Sequence, residues 1–359
     1  MSLFSLFRKR PSGRYLGVDI GTSSIKAAEL SGSRQSGFSL ERYGILEAHG
    51  QIDRANSALQ ASGLKLMDKE IVSYLRLLRS KAGFLSSRAT ASLPSFVGFT
   101  TLLELPVSSD KEIAQTITFQ ARNYIPLPIT TVTLDWIKVA EKTEADGTRK
   151  QQVLLISIPN EVIEAYTSIF SQAGLQLEAL ELENISAARI LTIASKTPKL
   201  VVDIGGRSTS FSVGKEGELK FAGQTDYASG TLTQSLSQAL NIHPQRAEDL
   251  KRSTRLSSEA SERELSTIML PVIDAILSEA SRTKNSFEKS YGEAIDGVIL
   301  SGSGAKLPGL VEYVSKQLEL QTSAANPGQY IGFPAEVDAI KEDLGPTLAV
   351  AMGLALKNI

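Results

Sequence analysis

The stretch Leu200-Val201-Val202-Asp203-Ile204-Gly205-Gly206-Arg207-Ser208-Thr209-Ser210 decides the fold. It reads as a buried β-strand, a glycine turn and a second strand beginning at Ser208. Val201 and Val202 are β-branched and apolar, which suits a strand covered on both faces. Asp203 stands where that strand ends. Gly205 and Gly206 lack a Cβ, so the turn can be tight and its N–H groups can approach an anion closely. Ser208 and Thr209 add hydroxyl donors. This set suits phosphate held by backbone amides, with the carboxylate reaching a hydrated Mg²⁺ beside it.

The same phrase occurs about half a chain earlier. Leu16-Gly17-Val18-Asp19-Ile20-Gly21-Thr22-Ser23-Ser24-Ile25-Lys26 repeats the order of apolar strand, Asp-Ile-Gly, small hydroxyl residues and second strand. One Asp-Ile-Gly is a common strand-to-turn tripeptide. Two, each followed by hydroxyl residues and each at a plausible domain start, predict a duplicated domain. Nucleotide phosphates would then lie in the cleft between the halves.

Composition narrows the chemistry. The 359 residues suffice for two domains or more. The formal net charge of −1 argues for no nucleic acid. There is no cysteine, so disulfides, Cys-zinc sites and thiol nucleophiles are excluded, and a reducing cytoplasm fits. The two histidines, His49 and His243, leave almost no material for a Ser-His-Asp triad or a His-based metal site. No apolar run reaches the ~20 residues that span a bilayer. The leader Met1–Arg10 has its apolar residues before its cations, the reverse of a signal peptide. It could touch a membrane surface, but a disordered leader is the preferred reading.

Along the chain, a β-meander is expected over Tyr15–Ile45 and a helix over Lys69–Ala82, with Asp68 as its N-cap. Ala89–Leu182 then reads as an inserted α+β unit. Its strands are Ala89–Leu93, Phe96–Leu105, Val132–Val139, Val153–Ile158 and Leu175–Leu182. Its helices are Lys111–Tyr124 and Asn160–Ala173, and Glu141–Gln151 is a hairpin loop. The second half carries helix Asn184–Ser195, the strands around Asp203, helices toward Leu240 and over Pro244–Thr254, and a long helix Glu259–Tyr291. Pro271 would turn or kink that helix. Strand Val298–Leu300, helix Leu310–Leu318 and an apolar helix Pro346–Leu356 complete it.

Gly302-Ser303-Gly304-Ala305-Lys306-Leu307-Pro308-Gly309 is a third glycine cluster, between a strand and a helix, the usual place for a ligand in an α/β sheet. Leu307 occupies the position of the third Rossmann glycine, so a dinucleotide is not expected, and no standard P-loop sequence is present. Lys26 is either a phosphate contact or a strand lysine facing solvent. Glu183 either aligns an attacking water or simply favours a helix start. Glu248 and Lys251, one helical turn apart, either hold ribose hydroxyls or form an exposed ion pair. On spacing alone the ion pair is preferred.

The three glycine turns, in this order, resemble the phosphate-1, phosphate-2 and adenosine motifs of the ATPase superfamily of actin, hexokinase and the heat-shock chaperones. The inserted unit and short second lobe look like the cell-division protein FtsA and its relatives. Phe119-Gln120-Ala121-Arg122-Asn123-Tyr124-Ile125-Pro126-Leu127-Pro128, then Leu134-Asp135-Trp136, is similar to the signature of the PilM family of type IV pilus assembly proteins. Glu104-Leu105-Pro106 and the apolar-then-basic leader are similar too. FtsA's terminal amphipathic helix has no counterpart before Ile359, which favours PilM over FtsA.

The resemblance implies an actin-like α/β fold (ribonuclease H-like, duplicated, two-lobed) with an inserted subdomain 1C. Its division would be 1–87 (first part of 1A, with 1–13 a flexible leader), 88–175 (1C), 176–195 (return to 1A), 196–240 (2A), 241–292 (2B), 293–344 (second part of 2A) and 345–359 (the closing 1A helix). It implies ATP with Mg²⁺ in the interlobe cleft, Asp19 and Asp203 facing the metal through water. Gly21, Thr22, Ser23, Lys26, Gly205, Gly206 and Ser208 would hold phosphates. Glu248 and Lys251 would contact ribose, and Gly302, Gly304 and Lys306 would line the adenosine side. Glu183, with Asp19, would be catalytic in a weak ATPase, although Asn184 replaces the proline that follows in many relatives. The implied partner is the cytoplasmic N-terminal tail of PilN in a 1A/1C groove, which would hold the chain at the inner membrane beside other pilus proteins in twitching motility. The alternatives are an FtsA-like, self-associating filament protein and a sugar or acetate kinase. The kinase is disfavoured because no spare Asp suits a catalytic base.

Overall fold

The structure, a computed structural model, describes residues 13–33, 35–47, 64–143, 147–256 and 263–357. Most of the leader, His49 and the expected helix start at Glu259 lie outside them.

The first half opens with three antiparallel strands, β1 (Arg14–Ile20), β2 (Ser24–Ser33) and β3 (Gly37–Glu47). Helix α1 (Leu64–Ala82) leads to β4 (Arg88–Leu93), which pairs parallel to β1. After the insertion, β8 (Gln176–Leu182) pairs parallel to β4 at the sheet edge. The second half repeats this plan with β9 (Lys199–Ile204), β10 (Thr209–Lys215), β11 (Glu218–Thr225), β12 (Val298–Ser301) and β13 (Thr322–Ala324). The strand orders correspond, β3-β2-β1-β4-β8 against β11-β10-β9-β12-β13. The repeated phrase is thus a repeated sheet. A two-residue strand, β14 (Ile331–Gly332), crosses back to pair with β3.

The insertion holds β5 (Phe99–Pro106), α2 (Asp110–Ala121), β6 (Val132–Thr143), β7 (Arg149–Pro159) and α3 (Asn160–Gln172). Its sheet order is β5-β7-β6. Ile113, Ile117 and Ala121 of α2 cover one face, against Leu103, Val153 and Leu155. Ser109 and Glu112 cap α2 reciprocally, which satisfies backbone donors at the helix start. The other sheet face joins the first half's core, and Leu219 of β11 packs in the same cluster as Val139 and Leu154. The insertion therefore touches both halves.

The halves meet along α4 (Glu183–Leu191) and α9 (Lys341–Ala355), where Ala187, Ile190, Ala349 and Ala351 are buried with Leu30 of one sheet and Val201 of the other. Small residues let these backbones approach closely. Arg189 donates to Glu181 at 2.6 Å and to the Gly353 carbonyl at 2.9 Å, and Lys357 reaches Glu181 at 3.1 Å. The β8–α4 junction and the distant C-terminal segment are thereby tied through one buried carboxylate.

Several expectations need correction. The 95–97 segment is a 3₁₀ turn, and β5 starts at Phe99. Pro94 starts the turn, and Gly98 follows where a Cβ would sit 2.7 Å from Ile158 Cδ1. Within the polar 141–151 stretch, residues 141–143 and 149–151 are strand, because ladder bonds use backbone whatever the side chain: Glu141, Thr143 and Arg149 are exposed, whereas Gln151 is buried. Helix α1 begins at Leu64, which puts Asp68 inside it rather than at its cap. Helix α7 (Arg263–Tyr291) continues through Pro271. Helix α9 begins before Pro346, whose carbonyl instead accepts from Gly302 N–H at 3.0 Å. Helices α5 (Ser229–Leu240), α6 (Pro244–Ser253) and α8 (Leu310–Leu318) complete the second half. No helix among the described residues is long and apolar enough to cross a membrane.

Candidate functional site

The two aspartates occupy matching places, next to last in β1 and β9. Each is followed by the same turn. Gly21 N–H donates to Ser24 O at 3.0 Å, and Gly205 N–H to Ser208 O at 3.0 Å. Each aspartate also meets a serine on the neighbouring parallel strand. Ser92 of β4 donates to Asp19 Oδ1 at 2.7 Å, and Ser301 of β12 hydrogen-bonds Asp203. Cross-strand, Asp19 faces Lys26, whereas Asp203 faces Ser210. The duplication is therefore asymmetric in charge, and the one lysine serves both carboxylates.

Lys26 Nζ donates to Asp19 Oδ2 at 3.0 Å, and its side chain is 12% exposed, so it does not face solvent as the bland reading had it. Burial opposes its charge, but Asp19, Asp203 and Glu183 outweigh this and raise its pKa. Burial raises Asp203, partly offset by Lys26. Glu183 opens α4, and its Oε1 accepts from Ser95 N–H at 3.1 Å. Burial first, then Asp203 and Asp19, push its pKa up to about 8.

That shift has a measurable sign. A folded pKa above the unfolded one contributes stability below about pH 4.5 that is lost as pH rises through about 8. Glu183→Gln is therefore expected to stabilise the nucleotide-free protein near pH 8.5, by a few kcal/mol at most, with the gain vanishing near pH 5. Melting curves across this range test it, and a pH-independent difference would contradict the buried-acid account.

Asp19, Gly21, Thr22, Ser23, Lys26, Glu183, Asp203, Gly205, Gly206, Ser208 and Gly302 line one inner chamber. Glu248, Lys251, Gly304 and Lys306 line an outer chamber of about 640 Å³, which shares Ser23, Lys26 and Gly206 with the first. The residues expected to meet metal, phosphate, ribose and adenosine thus line two connected chambers. Side chains at two of the glycines would crowd the site. A Cβ on Gly206 would sit 2.8 Å from Ser23 Oγ and 3.2 Å from Thr22 Oγ1. One on Gly302, at φ +82°, would sit 2.9 Å from Asp203 Oδ1. Thr209 does not contribute, since its hydroxyl donates to Tyr227 O inside the fold.

Glu248 and Lys251 are not an exposed pair. Lys251 is buried and donates to Glu248 Oε2 at 2.6 Å, Ser229 Oγ at 2.7 Å and Thr233 Oγ1 at 2.9 Å. Burial raises the Glu248 pKa, but Lys251, Thr233 and Arg252 overcome it and take it down to about 2. Arg252 also reaches Glu47 of β3 across the cleft at 3.5 Å.

Sequence reading missed Ser92, Ser301, Phe96, Arg207, Thr233 and Glu47. Ser92 and Ser301 become visible only once strand order is known. Among the described residues no group of three or more His, Asp or Glu is gathered into a direct metal cage. Two facing carboxylates suit an ion that keeps several waters, as Mg²⁺ does.

Solved structures share this architecture. The PilM–PilN type IV pilus biogenesis complex matches with TM-score 0.81 and 21% identity, over 97% of this chain and 99% of that one. The ethanolamine utilization protein EutJ of Carboxydothermus hydrogenoformans matches with TM-score 0.56 and 19% identity, over 98% and 92%. MreB5 of Spiroplasma citri bound to AMPPNP matches with TM-score 0.54 and 13% identity, over 88% and 92%. At such identities the likeness shows the fold, which is actin-like and two-lobed. The sequence itself matches the family model described as type IV pilus assembly protein PilM over residues 17–359. Because that match runs from the first strand to the last residue, taking in both phosphate-type hairpins and the insertion between them, the chain belongs to the PilM family of type IV pilus assembly proteins.

Proposed function

We propose that this chain is a nucleotide-dependent adaptor of the type IV pilus inner-membrane platform, binding ATP with Mg²⁺ in its cleft and the cytoplasmic N-terminal tail of PilN in a groove beside the insertion. In this reading the subdomain boundaries are those set out from the sequence, with α6 and α7 in 2B.

One observation carries the nucleotide reading. Two turns with the same hydrogen bond, each with an Asp before it and hydroxyls after it, face each other so closely that a Cβ at position 206 would meet Ser23 Oγ at 2.8 Å. The donor set fits the group: turn N–H groups and Ser23 and Ser208 hydroxyls for phosphate, Asp19 and Asp203 for a hydrated cation, Glu248 for ribose hydroxyls. Bound Mg²⁺–ATP would supply a phosphoanhydride bond and a divalent cation beside the two aspartates. Asp19, Asp203 and Lys26 hold and orient. Glu183, with its pKa pushed up to about 8, can act as a base toward a water through its ionised fraction, which suits slow hydrolysis.

The partner groove is read from shape. A groove of about 590 Å³ runs between α3 and the edge strand β8, lined by Ile163, Thr167, Ser171, Leu175, Leu177 and Ala179. An edge strand beside apolar side chains suits an extended peptide. The PilN named in the similar complex makes its N-terminal tail the peptide to test. Thr167→Arg with Ser171→Arg, both exposed positions on α3, is expected to weaken a PilN-tail peptide at least about tenfold and leave ATP affinity within about twofold. Anisotropy titration with labelled peptide reads this, and joint loss of ATP binding would show that the sites are not separable. Attachment through PilN would hold the chain at the cytoplasmic face of the inner membrane.

A further inference from the structure

Arg207 lies between Gly206 and Ser208 on the second phosphate-type turn and lines the inner chamber. Its guanidinium sits 4.7 Å from the centroid of the Phe96 ring. Phe96 belongs to the insertion's entry turn, at 95–97, and lines the same chamber. The residue before it, Ser95, donates its N–H to Glu183. Arg207 and Glu183, from the two halves of the molecule, therefore meet consecutive residues of one short turn. Neither Arg207 nor Phe96 lines the outer chamber, where Glu248 and Lys251 lie. This places Arg207 at the end of the cleft away from the ribose pair and beside the water-aligning carboxylate.

We propose that Arg207 reads the terminal phosphate of the bound nucleotide and that Phe96 passes its position to the insertion. The proposal rests on the nucleotide reading above. The Phe96 ring face is one of the contacts that position the Arg207 guanidinium, and a phosphate offers that guanidinium a stronger, charge-assisted pairing than a ring face does. A terminal phosphate thus competes Arg207 away from Phe96, whereas a diphosphate leaves it there. Phe96 is joined through Gly98 directly to β5, and β5 pairs with β7 along its length. Thr101 of β5, Leu155 of β7 and Trp136 of β6 form one cross-strand row. Trp136 is the chain's single tryptophan, so the insertion carries its own reporter.

The test uses the full chain, with calorimetric titration of Mg²⁺–ATP and Mg²⁺–ADP and Trp136 emission excited at 295 nm. In the wild type, ATP is expected to shift the emission and ADP to leave it near the nucleotide-free value. Arg207→Gln is expected to lower ATP affinity at least about tenfold with ADP affinity within about twofold. Phe96→Leu keeps apolar bulk and removes the ring face. It is expected to keep ATP affinity within about threefold and to lose the ATP-specific shift. Equal loss of ATP and ADP in Arg207→Gln would overturn the terminal-phosphate role. An undiminished shift in Phe96→Leu would overturn the relay. Failure of the wild type to bind either nucleotide would overturn both this inference and the reading beneath it, whereas nucleotide binding with either of the other two results overturns the inference alone.

Discussion

Asp203→Ala is expected to abolish tight Mg²⁺–ATP binding, lowering affinity at least about a hundredfold, which corresponds to roughly 2.7 kcal/mol. Asp203 is next to last in the central strand of the second sheet, and it faces the chamber that also holds Asp19, Lys26 and Glu183. Its removal leaves a single carboxylate for the cation. It also leaves Lys26 with Asp19 alone across the hairpin, a pair that neutralises itself and has little charge left for the metal or phosphate. The fold is expected to tolerate the change. Burial raises the pKa of Asp203, so keeping it charged opposes folding at neutral pH. Ser301 loses a hydrogen-bond partner, which costs about 1 kcal/mol. These effects oppose each other, and the melting temperature should stay within a few degrees of the wild type. Calorimetric titration alongside a melting curve separates lost binding from lost structure. Equal ATP affinity in mutant and wild type would remove Asp203 from the site.

The largest stability effect is expected from a single methyl group. Gly353→Ala would place a Cβ 2.0 Å from Ser186 O and 2.7 Å from Ser186 C, both backbone atoms of α4. On the opposite side of α9, a Cβ on Gly17 of β1 would sit 1.9 Å from Ala351 O. The helix is held between two backbones and cannot move away from one without striking the other. Overpacking of this kind, with no flexible side chain to yield, is expected to cost at least about 3 kcal/mol and to lower the melting temperature by roughly 6 °C or more. An unchanged melting temperature for Gly353→Ala would mean that α4 and α9 can separate, and the interlobe packing would need revision.

The hairpins were legible because their chemistry is local. Strand, Asp, glycine turn and hydroxyl residues are contiguous, and the two copies lie half a chain apart. The close packing of the last helix was legible for a similar reason, since Gly345, Ala349, Ala351, Gly353 and Ala355 recur among the larger apolar residues Leu348, Val350, Met352 and Leu354. What escaped depends on strand order. Ser92 and Ser301 reach the aspartates only because β4 and β12 lie parallel beside β1 and β9. Spacing could not separate a buried Glu248–Lys251 pair from a solvated one, because burial comes from Ser229 and Thr233 on another helix. Aromatic and β-branched residues from Phe96 onward predict strand, although Pro94 and Gly98 bracket Phe96 in a turn. That misreading hid its contact with Arg207. Polarity misled at 141–151, where polar side chains sit on a backbone that still forms ladder bonds.

The central claim is that the cleft and the partner groove are coupled. Reciprocal linkage requires that if ATP tightens the peptide, the peptide tightens ATP by the same factor. The most direct measurement is calorimetric titration of a PilN-tail peptide into the protein with Mg²⁺–ATP and into the nucleotide-free protein. A peptide bound at least about fivefold more tightly in the presence of ATP is the predicted result. Equal affinities in the two states, with ATP demonstrably bound, would contradict it and leave a nucleotide-binding protein whose nucleotide does not govern this partner.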